Sequence, residues 1–146
     1  MLIKKMTIED YDGVYNLWLN TPGMGLNTSD DSKAGIKKYL NRNPDTCFIA
    51  KEGKEIIGVI MSGHDGRRGY IYHLAVKVSE RSQGIGGALV NKAMSALEKE
   101  GINKVALVVF GSNETGNSFW EKHGFTMRND LVYRNKNIKN LTNIDT

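Results

Sequence analysis

Residues 81–88, Arg-Ser-Gln-Gly-Ile-Gly-Gly-Ala, are the part of this chain whose composition points most directly to chemistry. They lie between an apolar stretch, Leu74-Ala-Val-Lys-Val78, and an amphipathic one that repeats Ile85, Leu89, Ala93 and Leu97 at helical spacing. A strand, a glycine-rich turn and a helix in that order can bind phosphate. The first helical N–H groups have no intrahelical acceptor, and the aligned peptide dipoles leave partial positive charge there. Glycines let an anion approach the backbone without a Cβ in the way. Gln83, Gly84, Ile85, Gly86, Gly87 and Ala88 can offer successive N–H groups, and Arg81 adds a full positive charge. The usual nucleotide signatures are absent. Gly84 and Gly86 begin G-x-G-x-x-G but residue 89 is Leu, and G-x-x-x-x-G-K-[ST] occurs nowhere.

Other chemistry-bearing residues are sparse. His64, His73 and His123 show no i, i+4 pairing and have no cysteine cluster beside them, so no metal site is expected. Cys47 falls in the apolar run Thr46-Cys-Phe-Ile-Ala50 and reads as core. No Ser-His-Asp or Cys-His arrangement has supporting context. His73, on the face opposite Tyr72 and Leu74, reads as packed and hydrogen-bonded within a strand, with a functional role as the alternative. Lys37-Lys38 and Arg67-Arg68 are ordinary solvated charge, too short to argue for nucleic acid.

The elements that must position the junction can be read from the rest of the chain. One hundred and forty-six residues suit one domain with its own core. Apolar residues at 40 % and charged residues at 25 % describe a globular chain without a membrane-spanning run. The N-terminus lacks a secretory pattern, and a single cysteine fits a reducing compartment, so the cytoplasm is the expected location. The net charge of +4 is too mild and scattered to imply a polyanionic partner. Gly is enriched, at 16 residues.

A first strand is expected at Leu2–Lys5. Thr7-Ile-Glu-Asp10 is a capping box opening a helix with Val14, Leu17 and Trp18 on one face. A second helix is expected over Asp30–Asn41, then strands at Thr46–Ala50, Ile56–Met61 and Tyr70–Val76. Tyr70, Tyr72, Leu74 and Val76 should share one face of the last. The long helix after the glycines ends at Gly101, a C′ residue. Val105-Ala-Leu-Val-Val-Phe110 reads as a strand buried on both faces. A helix over Asn113–His123 and a hairpin of Phe125–Arg128 with Leu131–Arg134 complete the domain at residue 134. Asn135–Thr146 is a polar tail expected to fray. The fold class is therefore α/β with a mixed sheet.

Arg81-Ser-Gln-Gly84-Ile-Gly86 resembles the Q/R-x-x-G-x-G/A segment of the GNAT N-acetyltransferase superfamily, which cradles the pyrophosphate of acetyl-CoA. Asn113-Glu-Thr-Gly-Asn-Ser-Phe-Trp-Glu-Lys-His-Gly-Phe125 resembles the family's N-x-x-A-x-x-x-Y-x-x-x-G-F, with Gly116 and Trp120 in place of Ala and Tyr. The element order also agrees over residues 1–134, and the Asp65–Gly69 turn resembles small stand-alone bacterial members. The resemblance implies the GNAT fold, a mostly antiparallel sheet with a β-α-β core that binds acetyl-CoA. It implies cofactor contacts at Leu74, Ala75 and Val76, at Arg81, Ser82, Gln83, Gly84, Ile85, Gly86, Gly87 and Ala88, and at Asn113, Gly116, Phe119 and Trp120. It places the acceptor pocket between the Thr21–Asp30 loop, the Gly63–Gly69 turn and the final hairpin, with Met24 and Asp65 as candidate acceptor contacts.

Two family positions depart from the pattern. The usual general-acid Tyr is Trp120, and the Glu used by histone-type members as base is Tyr72. An indole N–H does not supply a proton near pH 7. Tyr133 and Tyr72 are the substitutes considered, and a thiol leaving group with pKa ~8.5 needs little help. With no base visible on the strand, acceptor pKa matters. At pH 7 about one in ten α-amines is neutral, against about one in 2,500 lysine side chains. The expected acceptor is therefore an amine of low pKa. The expected activity is transfer of an acetyl group to a primary amine of a small molecule or peptide. A non-catalytic acetyl-CoA-binding sensor is the alternative reading. The sequence is compatible with a monomer or a homodimer.

Overall fold

A computed structural model describes residues 1–146. Strands β1 (Leu2–Lys5), β2 (Leu26–Asn27), β3 (Phe48–Glu52), β4 (Glu55–His64), β5 (Gly69–Val76), β6 (Val105–Ala106) and β7 (Asn143–Ile144) alternate with helices α1 (Tyr11–Leu19), α2 (Lys33–Arg42), α3 (Ile85–Lys99) and α4 (Glu114–Lys122). Five strands form one sheet in the order β1-β3-β4-β5-β6, antiparallel except for the parallel β5–β6 pair. Only that last pair requires a crossover, and α3 supplies it. No helix is long and apolar enough to cross a membrane.

The sheet is covered on both faces. Val14, Leu17 and Trp18 of α1, with Ile36 and Leu40 of α2, pack on Cys47, Ile49, Val59, Met61 and Ala75. Ile85, Leu89, Val90 and Ala93 of α3 pack on Phe48, Ala50, Ile60 and Ile71 of the opposite face. Burial on both sides explains why β3 and β4 read as continuous apolar runs. Local signals set the helix ends. Asp10 Oδ2 accepts from Thr7 N at 2.9 Å before α1, and Ser32 Oγ accepts from Gly35 N at 3.1 Å to cap α2. Gly101 and Gly124 follow α3 and α4 at φ +81° and +87°.

Four expectations need correction. First, β5 does not alternate throughout. Val59 pairs with Ala75 and Met61 with Tyr72, so Ile60 faces two residues, His73 and Leu74. His73 takes φ +47° there, a left-handed conformation in which His, unlike a β-branched residue, is tolerated. The bulge puts Tyr72, His73 and Ala75 toward α1, while Leu74 and Val76 pack on the α3 side. His73 thus shares a face with Tyr72, and Leu74 does not. Second, the run Val105–Phe110 pairs only at its first two residues and is not buried on both faces: Val108 and Phe110 are exposed. Third, residues 125–134 form no hairpin. Met127, Leu131, Val132 and Tyr133 are exposed, because alternation yields a strand only beside a ladder partner and β6 offers none that far.

The tail does not fray either. Leu26 pairs with Ile144, Thr28 N donates to Thr142 O at 2.9 Å, and Met24 N donates to Thr146 Oγ1 at 3.1 Å. Ile144 packs against the α1–α2 core, so apolar contact holds a segment whose composition is polar. Ile144→Asp is expected to lower stability by about 1–2 kcal/mol and to expose the Thr28 amide to fast hydrogen exchange. Exchange mass spectrometry on both proteins checks this.

Candidate active site

The β5–β6 ladder is short. Gly69 pairs with Val105 and Tyr70 with Ala106, and then the strands part. From Ile71 to Val76 the edge of β5 that faces away from β4 has no strand beside it. The peptide groups on that edge have no strand partner, although Val76 O accepts from the Arg81 side chain. On the α3 side, the split leads to the glycine-rich turn. Ser82 and Gly84 both have left-handed backbones, φ +66° and +80°. The first helical bond is Ala88 N to Gly84 O, at 3.0 Å, so the N–H groups of Ile85, Gly86 and Gly87 precede the helix's own acceptors. No acidic residue lies in the first turn of α3. Arg81 donates from Nε to Val76 O at 3.3 Å, which ties the charge to the end of β5. Gln83 turns away to bond Glu80 Oε2 at 3.3 Å.

The three glycines do different work. A Cβ on Gly84 would meet nothing within 4 Å, so the space above it is open to a ligand. A Cβ on Gly86 would lie 3.1 Å from the Phe119 ring, and one on Gly87 would lie 2.9 Å from His123 Cε1. These two let α4 pack against the start of α3. Asn113 caps α4, accepting from Gly116 N at 2.9 Å, and a Cβ at Gly116 would meet that same side chain at 2.5 Å. Gly116 thus serves the cap. Trp120 lies edge-on to Phe119 and to Phe125, each at 5.1 Å between ring centres. It belongs to the apolar cluster on the α3 side.

The opposite face carries phenols. Tyr72 contacts Tyr70 at 4.5 Å and Tyr39 at 5.9 Å between ring centres and is itself 45 % exposed. Burial raises the Tyr70 hydroxyl to about 12, with Tyr72 and Tyr133 adding to it. Tyr72 is raised mainly by burial, then by Tyr133 and Asp30. Burial also drives Tyr39 far up, and its hydroxyl lacks a partner. The structure thus brings Tyr72 and Tyr133 near one another and keeps Trp120 on the other side of the sheet.

Met24 is half-buried against the α1–α2 core. Asp65 Oδ1 accepts from Arg67 N at 2.8 Å and Arg68 N at 2.9 Å, which lowers its carboxyl below the ordinary range. It sits in the turn beyond β4, about four residues along the strand from the bulge, on the order of 13 Å. The sequence reading missed one pair altogether. His73 Nε2 and Asp31 Oδ1 lie 2.7 Å apart, with side chains 15 % and 5 % exposed. Forty-two positions separate them, and no local pattern signals their contact.

A split parallel pair beside a helix N-terminus with an open glycine can hold an extended, phosphate-bearing ligand along a strand edge. Comparison with known proteins agrees. The profile of the Acetyltransferase (GNAT) family matches residues 11–125. An acetyltransferase of Sodalis glossinidius is 31 % identical over 138 residues, 94 % of this chain and 96 % of its own. One from Pectobacterium atrosepticum is 32 % identical over 122 residues, 84 % and 85 % of the two chains. The fold is also that of the PaiA N-acetyltransferase from Thermoplasma acidophilum, solved with coenzyme A, at TM-score 0.77 and 22 % identity over 87 % of this chain and 90 % of that one. The chain belongs to the GNAT acetyltransferase family. It is accordingly an acetyltransferase that uses acetyl-CoA.

A paired substitution separates backbone strain from ligand contact. Gly84 and Gly101 have nearly equal φ and equally open Cβ positions. Ala at either is expected to destabilise by about 1–2 kcal/mol. Only Gly84→Ala should also weaken coenzyme A binding, by about 10-fold, as read by calorimetry.

Proposed function

We propose that this protein transfers the acetyl group of acetyl-CoA to a primary amine of low pKa, an α-amino group or a small-molecule equivalent. The observation that carries the reading is the parting of β5 and β6 after Tyr70, because it joins the two faces of the sheet. On the α3 side, Arg81, Ser82, Gly84 and the N–H groups of Ile85, Gly86 and Gly87 would hold the diphosphate. Asn113, Gly116 and Phe119 border it, and Trp120 packs behind. Acetyl-CoA supplies an acyl group already activated as a thioester. Leu74, Ala75 and Val76 would bond the pantetheine arm through their peptide groups, and a backbone N–H there would polarise the acyl oxygen.

The acceptor would approach from the α1–α2 side. Half-exposed Tyr72, the neighbouring phenols and Asp30 suit an ammonium group, which is attracted both to aromatic faces and to a carboxylate. Tyr133 and Tyr72 are the hydroxyls near the split that can return a proton to the leaving sulfur. Tyr72, whose phenol burial raises, keeps its proton at neutral pH.

Incubating the protein with acetyl-CoA and matched amines, while following free thiol, tests the reading. An α-amino peptide is expected to turn over at least about 100-fold faster than an N-blocked lysine peptide at pH 7, following their neutral fractions. A lysine peptide acetylated faster than its α-amino match overturns the acceptor class. Binding of acetyl-CoA without turnover of any amine overturns the assigned activity. Trp120→Tyr should change the rate less than about 3-fold, since the indole is packed between Phe119 and Phe125 rather than facing the phenols.

A further inference from the structure

Tyr72 stands where a carboxylate base would, and the fold places another candidate beside it. We infer that His73, held by Asp31, removes the proton from the incoming ammonium group. This rests on the reading that the protein acetylates an amine. Asp31 Oδ1 lies 2.7 Å from Nε2, which fixes that nitrogen as the N–H donor and turns the Nδ1 lone pair away from the carboxylate. Nδ1 has no hydrogen-bond partner within the protein, and the side chain is still 15 % exposed, so Nδ1 is free to take a proton directly or through one water.

The pair is built into its surroundings. Asp31 Oδ2 accepts from Asn27 N at 2.8 Å, and Tyr11 Oη donates to Asp31 O at 2.7 Å, so the carboxylate is anchored at both its side chain and its backbone. The Trp18 ring meets the His73 ring edge-on at 5.0 Å and sets its plane. The bulge at φ +47° sends the side chain to the acceptor face, while the next residue, Leu74, lies on the free edge of β5 and packs its side chain on the α3 side. Base and acyl-binding backbone are therefore adjacent in the chain and aimed at opposite sides of the split. Asp31 pairs with the imidazole, Tyr72 of β5 lies edge-on to it at 6.2 Å between ring centres, Tyr39 of α2 stands behind Tyr72, and Tyr11 of α1 bonds the Asp31 backbone. None of the phenols competes as a base near neutrality, since all are at or above the ordinary phenol range.

The step balances. The ammonium gives one proton to Nδ1. The neutral nitrogen then attacks the thioester carbon, forming C–N as C–S breaks, and the second nitrogen-bound proton leaves with the thiolate to give free thiol. Imidazolium returns its proton to solvent. An imidazole can do this for an amine titrating near 8 but hardly for one near 10.4, in line with the proposed acceptor class.

His73→Asn tests it, because Asn tolerates the left-handed backbone and has no basic nitrogen. With an α-amino acceptor, kcat/KM at pH 6.5–7 should fall about 100-fold or more. The acid limb of the profile should move to higher pH, to the acceptor's own titration, so that wild type and variant converge above pH 9. Affinity for coenzyme A should stay within about 2-fold. Asp31→Asn should give a smaller loss with the same convergence. Independently of turnover, nitrogen NMR of the free protein should show His73 Nδ1 unprotonated and Nε2 bearing the proton, with the preference lost in Asp31→Asn. An unchanged pH profile in His73→Asn, or the proton on Nδ1 in wild type, overturns the inference and leaves the acetyltransferase reading standing. A wild-type protein that turns over no amine overturns both.

Discussion

The extra residue in β5 is the constraint on which the site depends. A strand with an even pleat would send Tyr72 and His73 to opposite faces and keep Leu74 with Tyr72. With two residues opposite Ile60, the strand changes phase at its midpoint. Residues before the bulge keep their phase, with Ile71 in the α3-side core. After it, Leu74 and Val76 pack on α3, and Ala75 closes against α1. The bulge also increases local twist, and β6 leaves the ladder three residues earlier, after Tyr70. The cost is one residue in a left-handed conformation, at a side chain that tolerates it.

Each face of the sheet then has its own task. The α3 face provides oriented peptide dipoles, Arg81 and an open Gly84, all suited to negative charge. The α1–α2 face provides phenols and two adjacent carboxylates, Asp30 and Asp31, suited to positive charge. The chain's net charge of +4 predicts neither, because the segregation is local. The tail reinforces the second face. Its pairing with Leu26 and Thr28 steadies the loop that carries Asp30 and Asp31, although only two residues of it form a strand.

What was legible in the sequence was local. Thr7 and Asp10, Gly101 and Gly124 mark helix ends through contacts within four residues, and the glycine-rich turn announces itself by composition. The family resemblance extended that to the fold. What stayed hidden depended on distant partners. A bulge is a property of two strands, and nothing in Tyr72-His73-Leu74 alone says that Ile60 will face two of them. The His73–Asp31 contact joins residues 42 positions apart. The apolar alternation of residues 125–134 misled in the other direction, since the pattern was present and the ladder partner was not. Gly86 and Gly87 also have a role that the motif does not announce. They sit in the expected motif, yet their missing Cβ atoms make room for Phe119 and His123.

A crystal structure with a non-hydrolysable acetyl-CoA analogue tests the central claim most directly, that the bulge and the early parting of β6 create one site spanning both faces. The diphosphate should lie over Gly84 and the N–H groups of Ile85 and Gly86, with the acyl end in the split beyond Tyr70 and the His73 ring on the far side of β5 from α3. A β5–β6 ladder continuing to Val76, or an analogue bound away from Gly84, would contradict it.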